Sequence, residues 1–298
     1  MSERPIPRWA GIALLLVIAA VFGSNHIAAR IAFDHGTNVT TAVAFRSTGT
    51  AVIVLLLLLL SGTSLKVKGR SLGHSILIGL LIAVQSYCLY SAVALIPVAL
   101  ALLVFQTFPT LLSLISWLGG GERPSRRVLL AMPVALAGLA LALDVYGKSG
   151  DIAGRWAEVG AGVLWALGAS ISFATAFFLI TRWLGSMDGR LRSFLFMSVV
   201  AVVTLAAGTA ANAFVLPADS TGWIALALLT VFYGTAITAT FVLLPKLGAV
   251  NNAAVLNFEP IAVLGLAWLI LDQSVAPLQI LGAFIVVGSI VWMGAGKR

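Results

Sequence analysis

The chain has 298 residues, 60% of them hydrophobic and 9% charged, with a mean hydropathy of +1.08. An average soluble domain is about 45–50% apolar and about 25% charged. A water-soluble fold and a disordered chain are therefore both excluded, and a polytopic helical membrane protein remains. The single cysteine, Cys88, lies in an apolar run, so no disulfide framework or cysteine metal cluster is expected.

Apolar runs bounded by charges, glycines and prolines predict ten spans, at residues 9–29, 40–60, 72–95, 98–117, 128–145, 159–183, 193–215, 223–244, 250–271 and 277–295. At about 20 residues per crossing these use roughly 200 residues, leaving loops and tails but no extramembrane domain. Only Ile96-Pro97 separates spans 3 and 4. A tight hairpin is expected there, because proline lacks an N–H and biases its neighbour away from helix. One long kinked helix, giving nine spans, is the alternative. Residues 1–30 resemble a secretory signal but lack an A-x-A site, and are read as a retained span. The sequon Asn38-Val39-Thr40 is read as a chance match in a short loop.

Charge placement selects among these topologies. With ten spans and a cytoplasmic N-terminus, the cytoplasmic segments hold 14 of the 18 basic residues. They include Arg4, Arg8, the 66–70 and 123–127 loops, Arg182, Arg190 and Arg192. The outer loops hold Arg30, Lys148 and Arg155, and Arg46 falls inside span 2. That bias obeys the positive-inside rule and predicts a multi-pass protein with both termini cytoplasmic. The net charge of +8 is thus a topology signal, and nucleic acid is not an expected partner.

An internal repeat is visible. Pro109 and Trp117 recur as Pro260 and Trp268, and Glu122 and Gly138 are answered by Asp272 and Gly288 after a one-residue slip. Two five-span repeats follow, 1–148 and 149–298. An odd repeat enters the membrane from opposite sides in its two copies, so the expected fold is all-α, with ten transmembrane helices in two inverted five-helix repeats. Such folds place a substrate near the midplane at the repeat interface and alternate its access.

Several stretches together resemble the ten-helix EamA-type exporters of the drug/metabolite transporter superfamily. These are Phe22-Gly23-Ser24-Asn25 with Arg30, Phe45-Arg46-Ser47, the alanine-rich span 4 with Pro109, Gly121-Glu122-Arg123, Asn257-Phe258-Glu259-Pro260 through Asp272, and the run 278–283. Phe22 stands where tryptophan is common in that family, and Asp272 where glutamate is usual. The resemblance implies a bacterial inner-membrane efflux carrier for amino acids or related metabolites, with spans 5 and 10 peripheral.

Polar residues within spans are costly and so single out candidates. Glu259, beside Pro260 in span 9, is a candidate for proton coupling or substrate contact. The alternative is an acid that satisfies backbone freed by the proline. Arg46 can pair with Asp34, snorkel to the outer face, or meet a substrate carboxylate. His26 and Arg30 share a face of span 1, where His26 is either a relay or a polar helix contact. The amides Asn25, Gln85, Gln106 and Asn257 each carry several hydrogen-bonding sites to satisfy. Tyr90, Trp165 and Tyr233 can shape an amphipathic pocket, and Pro109 and Pro260 are candidate hinges. Gln106, Thr110, Ser113 and Trp117 run i, i+4, i+7, i+11 and form a polar stripe along one face of span 4. Serine and threonine stripes such as Ser172 and Thr175 on span 6 also serve as helix-packing contacts, and Ala131, Ala135, Gly138 and Ala142 give span 5 a close-packing face.

These residues select Asn25, His26, Gln85, Tyr90, Gln106, Trp165, Tyr233 and Asn257 as substrate-binding, with Glu259 coupling and Arg46 more remote. The expected function is secondary transport of a small solute through the bilayer, without a cofactor or metal. An intramembrane enzyme on a lipid-soluble substrate, or a carrier of nucleotide-sugars or drug-like solutes, is the alternative. The chain has no H-E-x-x-H, Walker A or diphosphate-binding motif, and its three histidines lie in different segments.

Overall fold

The computed structural model describes residues 8–121, 123–124, 126–142, 152–247, 258–273 and 276–294. Among them are eleven α-helices and no strands. In chain order they are α1 (Arg8–Asp34), α2 (Val39–Leu60), α3 (Gly69–Leu95), α4 (Val98–Phe105), α5 (Phe108–Leu118) and α6 (Arg126–Ala142). The second half supplies α7 (Ile152–Trp183), α8 (Gly189–Ala210), α9 (Ser220–Leu247), α10 (Glu259–Leu271) and α11 (Pro277–Gly294). Seven segments are long and apolar enough to cross a membrane, α4 and α5 together forming one of them, and three shorter helices are apolar as well. Side chains such as Leu60, Leu118, Val202 and Leu269 are more than half exposed on the outside of the bundle, as a lipid-facing surface requires. The chain is an all-helical polytopic membrane protein.

Local chemistry sets the helix ends. Asn38 caps α2 by accepting the Thr41 N–H at 3.0 Å, and its Nδ2 donates to the Ala213 carbonyl at 2.6 Å. That second bond occupies the amide nitrogen of the sequon. Ile96 is extended, and Pro97 precedes the first turn of α4, so spans 3 and 4 are separate helices. Asp272 ends α10 with φ 51°, a left-handed conformation that aspartate tolerates better than most side chains.

Span 4 is not one helix, and the break separates Gln106 from Thr110, Ser113 and Trp117 on α5. Gln106 ends α4, and α5 starts at Phe108 with Pro109 in its first turn. Proline cannot donate to the carbonyl four residues back, which is that of Phe105. The hydroxyl of Ser170 on α7 donates to this carbonyl instead, at 3.1 Å, and lies 2.8 Å from the Thr107 hydroxyl. In the second half α10 likewise starts with a proline in its first turn, at Glu259-Pro260. Both helix starts fall 151 residues apart, in register with the prolines.

Most of the packing joins one half to the other. The largest contacts join α3 to α7, α1 to α9, α6 to α11 and α2 to α8. Exchanging the halves, so that α1 becomes α7 and α3 becomes α9, turns the α1–α9 contact into the α7–α3 contact. The other two map onto themselves. A twofold-related interface has this self-complementary pattern. α6 and α11 approach through glycines: a Cβ on Gly282 would stand 2.5 Å from the Gly138 carbonyl oxygen, and one on Gly138 would meet Ile285 at 2.7 Å. Small residues at a helix crossing permit such contact. Gln279 also donates to the Ala142 carbonyl at 3.1 Å.

Candidate functional site

Where α1, α2, α3, α9 and α10 converge, the apolar interior gives way to a polar cluster. α1 contributes Asn25 and His26, both buried. Their placement depends on Gly23. A Cβ there would stand 2.6 Å from Val263 Cγ2, so glycine lets α1 and α10 approach each other. One turn of α1 further on, His26 Nε2 reaches Glu259 Oε1 at 3.4 Å, with the glutamate side chain 27% exposed. His26 Nδ1 is buried without a hydrogen-bond partner among the described residues. Its ring packs edge-on against Tyr90 at 5.9 Å.

Tyr90, fully buried on α3, donates its hydroxyl to Asn25 Oδ1 at 2.6 Å. The Asn25 amide group donates in turn to the Phe22 carbonyl at 2.6 Å. Phe22 packs edge-on against Tyr233 of α9, with ring centroids 5.8 Å apart.

Arg46 lies at the centre of this cluster and is 3% exposed. It does not pair with Asp34, whose carboxylate is held by Arg30 at 3.0 Å; Arg30 also donates to the Val93 carbonyl at the end of α3. Nor does Arg46 snorkel. One guanidinium nitrogen donates to Ser86 Oγ at 2.7 Å, and Ser86 donates onward to Gln85 Oε1 at 3.4 Å. The guanidinium lies 4.7 Å from the Tyr90 ring centroid and 4.3 Å from that of Tyr233. Nε is buried without a partner, and among the described residues no carboxylate lies within ion-pair distance. Cation–π contacts contribute about 0.5–2 kcal/mol each, whereas desolvating an ion costs several kcal/mol even after relaxation. The two rings alone do not offset the burial of this charge.

The structure therefore brings together Asn25, His26, Gln85, Tyr90, Tyr233 and Glu259, with Arg46 among them. Gln106 is buried at the α4–α5 break, apart from these contacts. Trp165 is 40% exposed and packs on the exposed Tyr87, also apart from them. Asn257 and the repeat landmark Glu122 lie outside the described residues. Pro109 and Pro260 stand in the first turns of α5 and α10. Of the hydroxyl stripes, Ser172 bridges helices by donating to the Leu81 carbonyl at 2.8 Å, while Thr175 and Thr230 bond their own helices. Ser86, which links Arg46 to Gln85, is a member the sequence reading missed; its position beside Gln85 in a buried run was the available signal.

Among the described residues, no group of three or more histidines, cysteines, aspartates or glutamates converges as a metal site. An apolar groove of about 780 Å³ between α2, α8 and α9 is lined by Phe45, Leu205, Phe214 and Val231 and has no charged residue in its wall. It faces the outside of the bundle and holds none of the cluster above.

A helical membrane bundle of two similar halves, with ionisable side chains meeting between them, is the architecture of a carrier. The EamA-like transporter family matches residues 9–143 and again residues 160–295. The chain belongs to this family and is a membrane transporter of small solutes. No curated protein matches the sequence. A solved crystal structure matches with a TM-score of 0.63 and 19% identity, over 95% of this chain and 97% of that one; at that identity the likeness speaks for the fold alone.

Proposed function

We propose that the protein is a secondary transporter that exports amino acids or related small metabolites across a bacterial inner membrane by alternating access. In this reading ten spans form two inverted five-helix repeats, 1–148 and 149–298, and both termini are cytoplasmic. Asn25, His26, Gln85, Tyr90 and Tyr233 line the substrate site with Glu259 as the proton-coupling acid. Pro109 and Pro260 act as hinges where the halves rock.

The observation that carries the reading is the His26–Glu259 pair. It joins an imidazole of the first half to a carboxyl of the second, inside an otherwise apolar bundle, where ionisable groups are retained for ion or substrate pathways. Rocking of one half against the other changes this contact. A proton carried by Glu259 can then be exchanged for the ammonium of a zwitterionic solute, which is a minimal scheme for antiport.

The test is flux of labelled amino acids in proteoliposomes, with and without a pH gradient, for the wild type and Glu259→Gln. The amide keeps shape and hydrogen bonding but cannot titrate. Gradient-driven flux is expected to vanish in the variant while solute exchange persists. Unaltered pH-dependent flux would make Glu259 a structural acid, and product formation without flux would favour an enzyme.

A further inference from the structure

We infer that Arg46 is the recognition point for a carboxylate on the transported solute. The inference rests on the amino-acid reading of the site and adds to it the group that selects the substrate.

A guanidinium presents five N–H donors in a planar fork. Here the Ser86 hydroxyl accepts one of them at 2.7 Å, and the buried Nε has no acceptor among the described residues. The rings of Tyr90 and Tyr233 favour a cation beside them but leave the buried Nε unfilled. A buried charge with donors unfilled is incomplete, and an anion with two oxygens completes it. Carboxylates pair with arginine in this two-pronged way. Ser86 and Tyr90 of α3 contact the cation, with Gln85 behind Ser86, while Tyr233 comes from the other half of the molecule. Carboxylate binding at Arg46 therefore touches both halves through one residue pair, Arg46 and Tyr233. Tyr90 also touches His26, which pairs with Glu259, so a solute with an anionic and a cationic group has a partner for each.

The other account is that Arg46 is purely structural, a cation that cross-links α2, α3 and α9. The two accounts make opposite predictions for Arg46→Gln in the purified full-length chain. A cross-link is lost in the structural case, and the midpoint of thermal unfolding falls. In the recognition case an uncompensated buried charge is removed, and the midpoint stays or rises by a few degrees. Ligand protection gives a second readout through linkage. The probes are an equimolar mixture of L-amino acids and the same mixture as α-amides, which keep ammonium and side chain but lack the carboxylate.

The expected result is that acids raise the wild-type midpoint, amides do not, and Arg46→Gln abolishes the difference. Arg46→Lys keeps the charge without the fork, and should fold and raise the half-protecting concentration at least tenfold. Equal protection by acids and amides, no protection of the wild type by the acids, or protection unchanged in both variants would overturn the inference. Protection without flux in proteoliposomes would leave the carboxylate site standing and remove the transport reading instead. Flux without carboxylate-dependent protection would do the reverse.

Discussion

His26 on α1 and Glu259 at the start of α10 meet at 3.4 Å across the junction of the two halves, and a glycine three residues before His26 makes the meeting possible. A Cβ on Gly23 would sit 2.6 Å from Val263 Cγ2, and a β-branched side chain has little rotamer freedom to retreat. Gly23→Ala is expected to separate α1 from α10, lower the unfolding midpoint and reduce flux. Adding Val263→Ala removes the clashing methyl and should restore both. A double variant no better than Gly23→Ala would place the defect elsewhere.

Ser170 replaces a bond that Pro109 cannot make. Ser170→Ala leaves the partly buried Phe105 carbonyl without this donor, a loss of about 1 kcal/mol. Pro109→Ala returns an N–H to the helix and can supply that donor. The double variant is therefore expected to unfold at higher temperature than Ser170→Ala alone, with flux still reduced because the break in span 4 has been straightened. Additive losses of stability would show that the hydroxyl does not stand in for the missing N–H.

Asp188 gives a pH dependence with a definite sign. It caps α8 by accepting the backbone N–H groups of Arg190 at 2.8 Å and Leu191 at 3.4 Å. Its hydrogen bond from the Arg190 side chain, helped by those backbone bonds, holds the carboxyl below the usual aspartate range. A carboxyl depressed in the folded state stabilises above its unfolded value near ~3.9, and that contribution is lost as pH falls through the lower folded value. Asp188→Ala should cost about 0.5–2 kcal/mol at neutral pH. The gap from wild type should close below about pH 4. Denaturation midpoints across that range measure it, and a gap independent of pH would assign the effect to packing.

Gly282 packs against the backbone of α6, with the Gly138 carbonyl 2.5 Å from where a Cβ would be. Backbone cannot swing aside as a side chain can. Gly282→Leu is therefore expected to detach α11 from α6 and lower the unfolding midpoint by more than the same change at Gly265, where a Cβ meets nothing within 4 Å. Equal effects at both positions would mean that glycine itself, and not the close approach, matters.

Cysteines at positions 68 and 148, in a background with Cys88 replaced by alanine, should be labelled from opposite sides of the membrane. Labelling from the same side would overturn the ten-span count and the orientation drawn from the positive-inside bias.

Hydropathy and charge, read along the chain, determined that this is a multi-span helical membrane protein with two similar halves. The bilayer explains why so much was legible: it demands long apolar runs, penalises internal charge and sorts basic loops. Each of these leaves a local mark on the sequence. The prolines at 109 and 260 were legible as hinge candidates, since a missing N–H acts on its own neighbours, but the restart of the helix at Phe108 was not. The membership of the site was not local in this way. Nothing near Arg46 in the sequence says that Asp34 is taken by Arg30, or that Tyr90 and Tyr233, 143 residues apart in number, close on one guanidinium. Trp165 and Tyr233 were equal candidates as aromatic residues, yet one faces the outside and the other the cluster. Only helix packing decides between them, because the direction of a side chain depends on how far each helix turns before it meets a partner, and a single glycine such as Gly23 sets that distance.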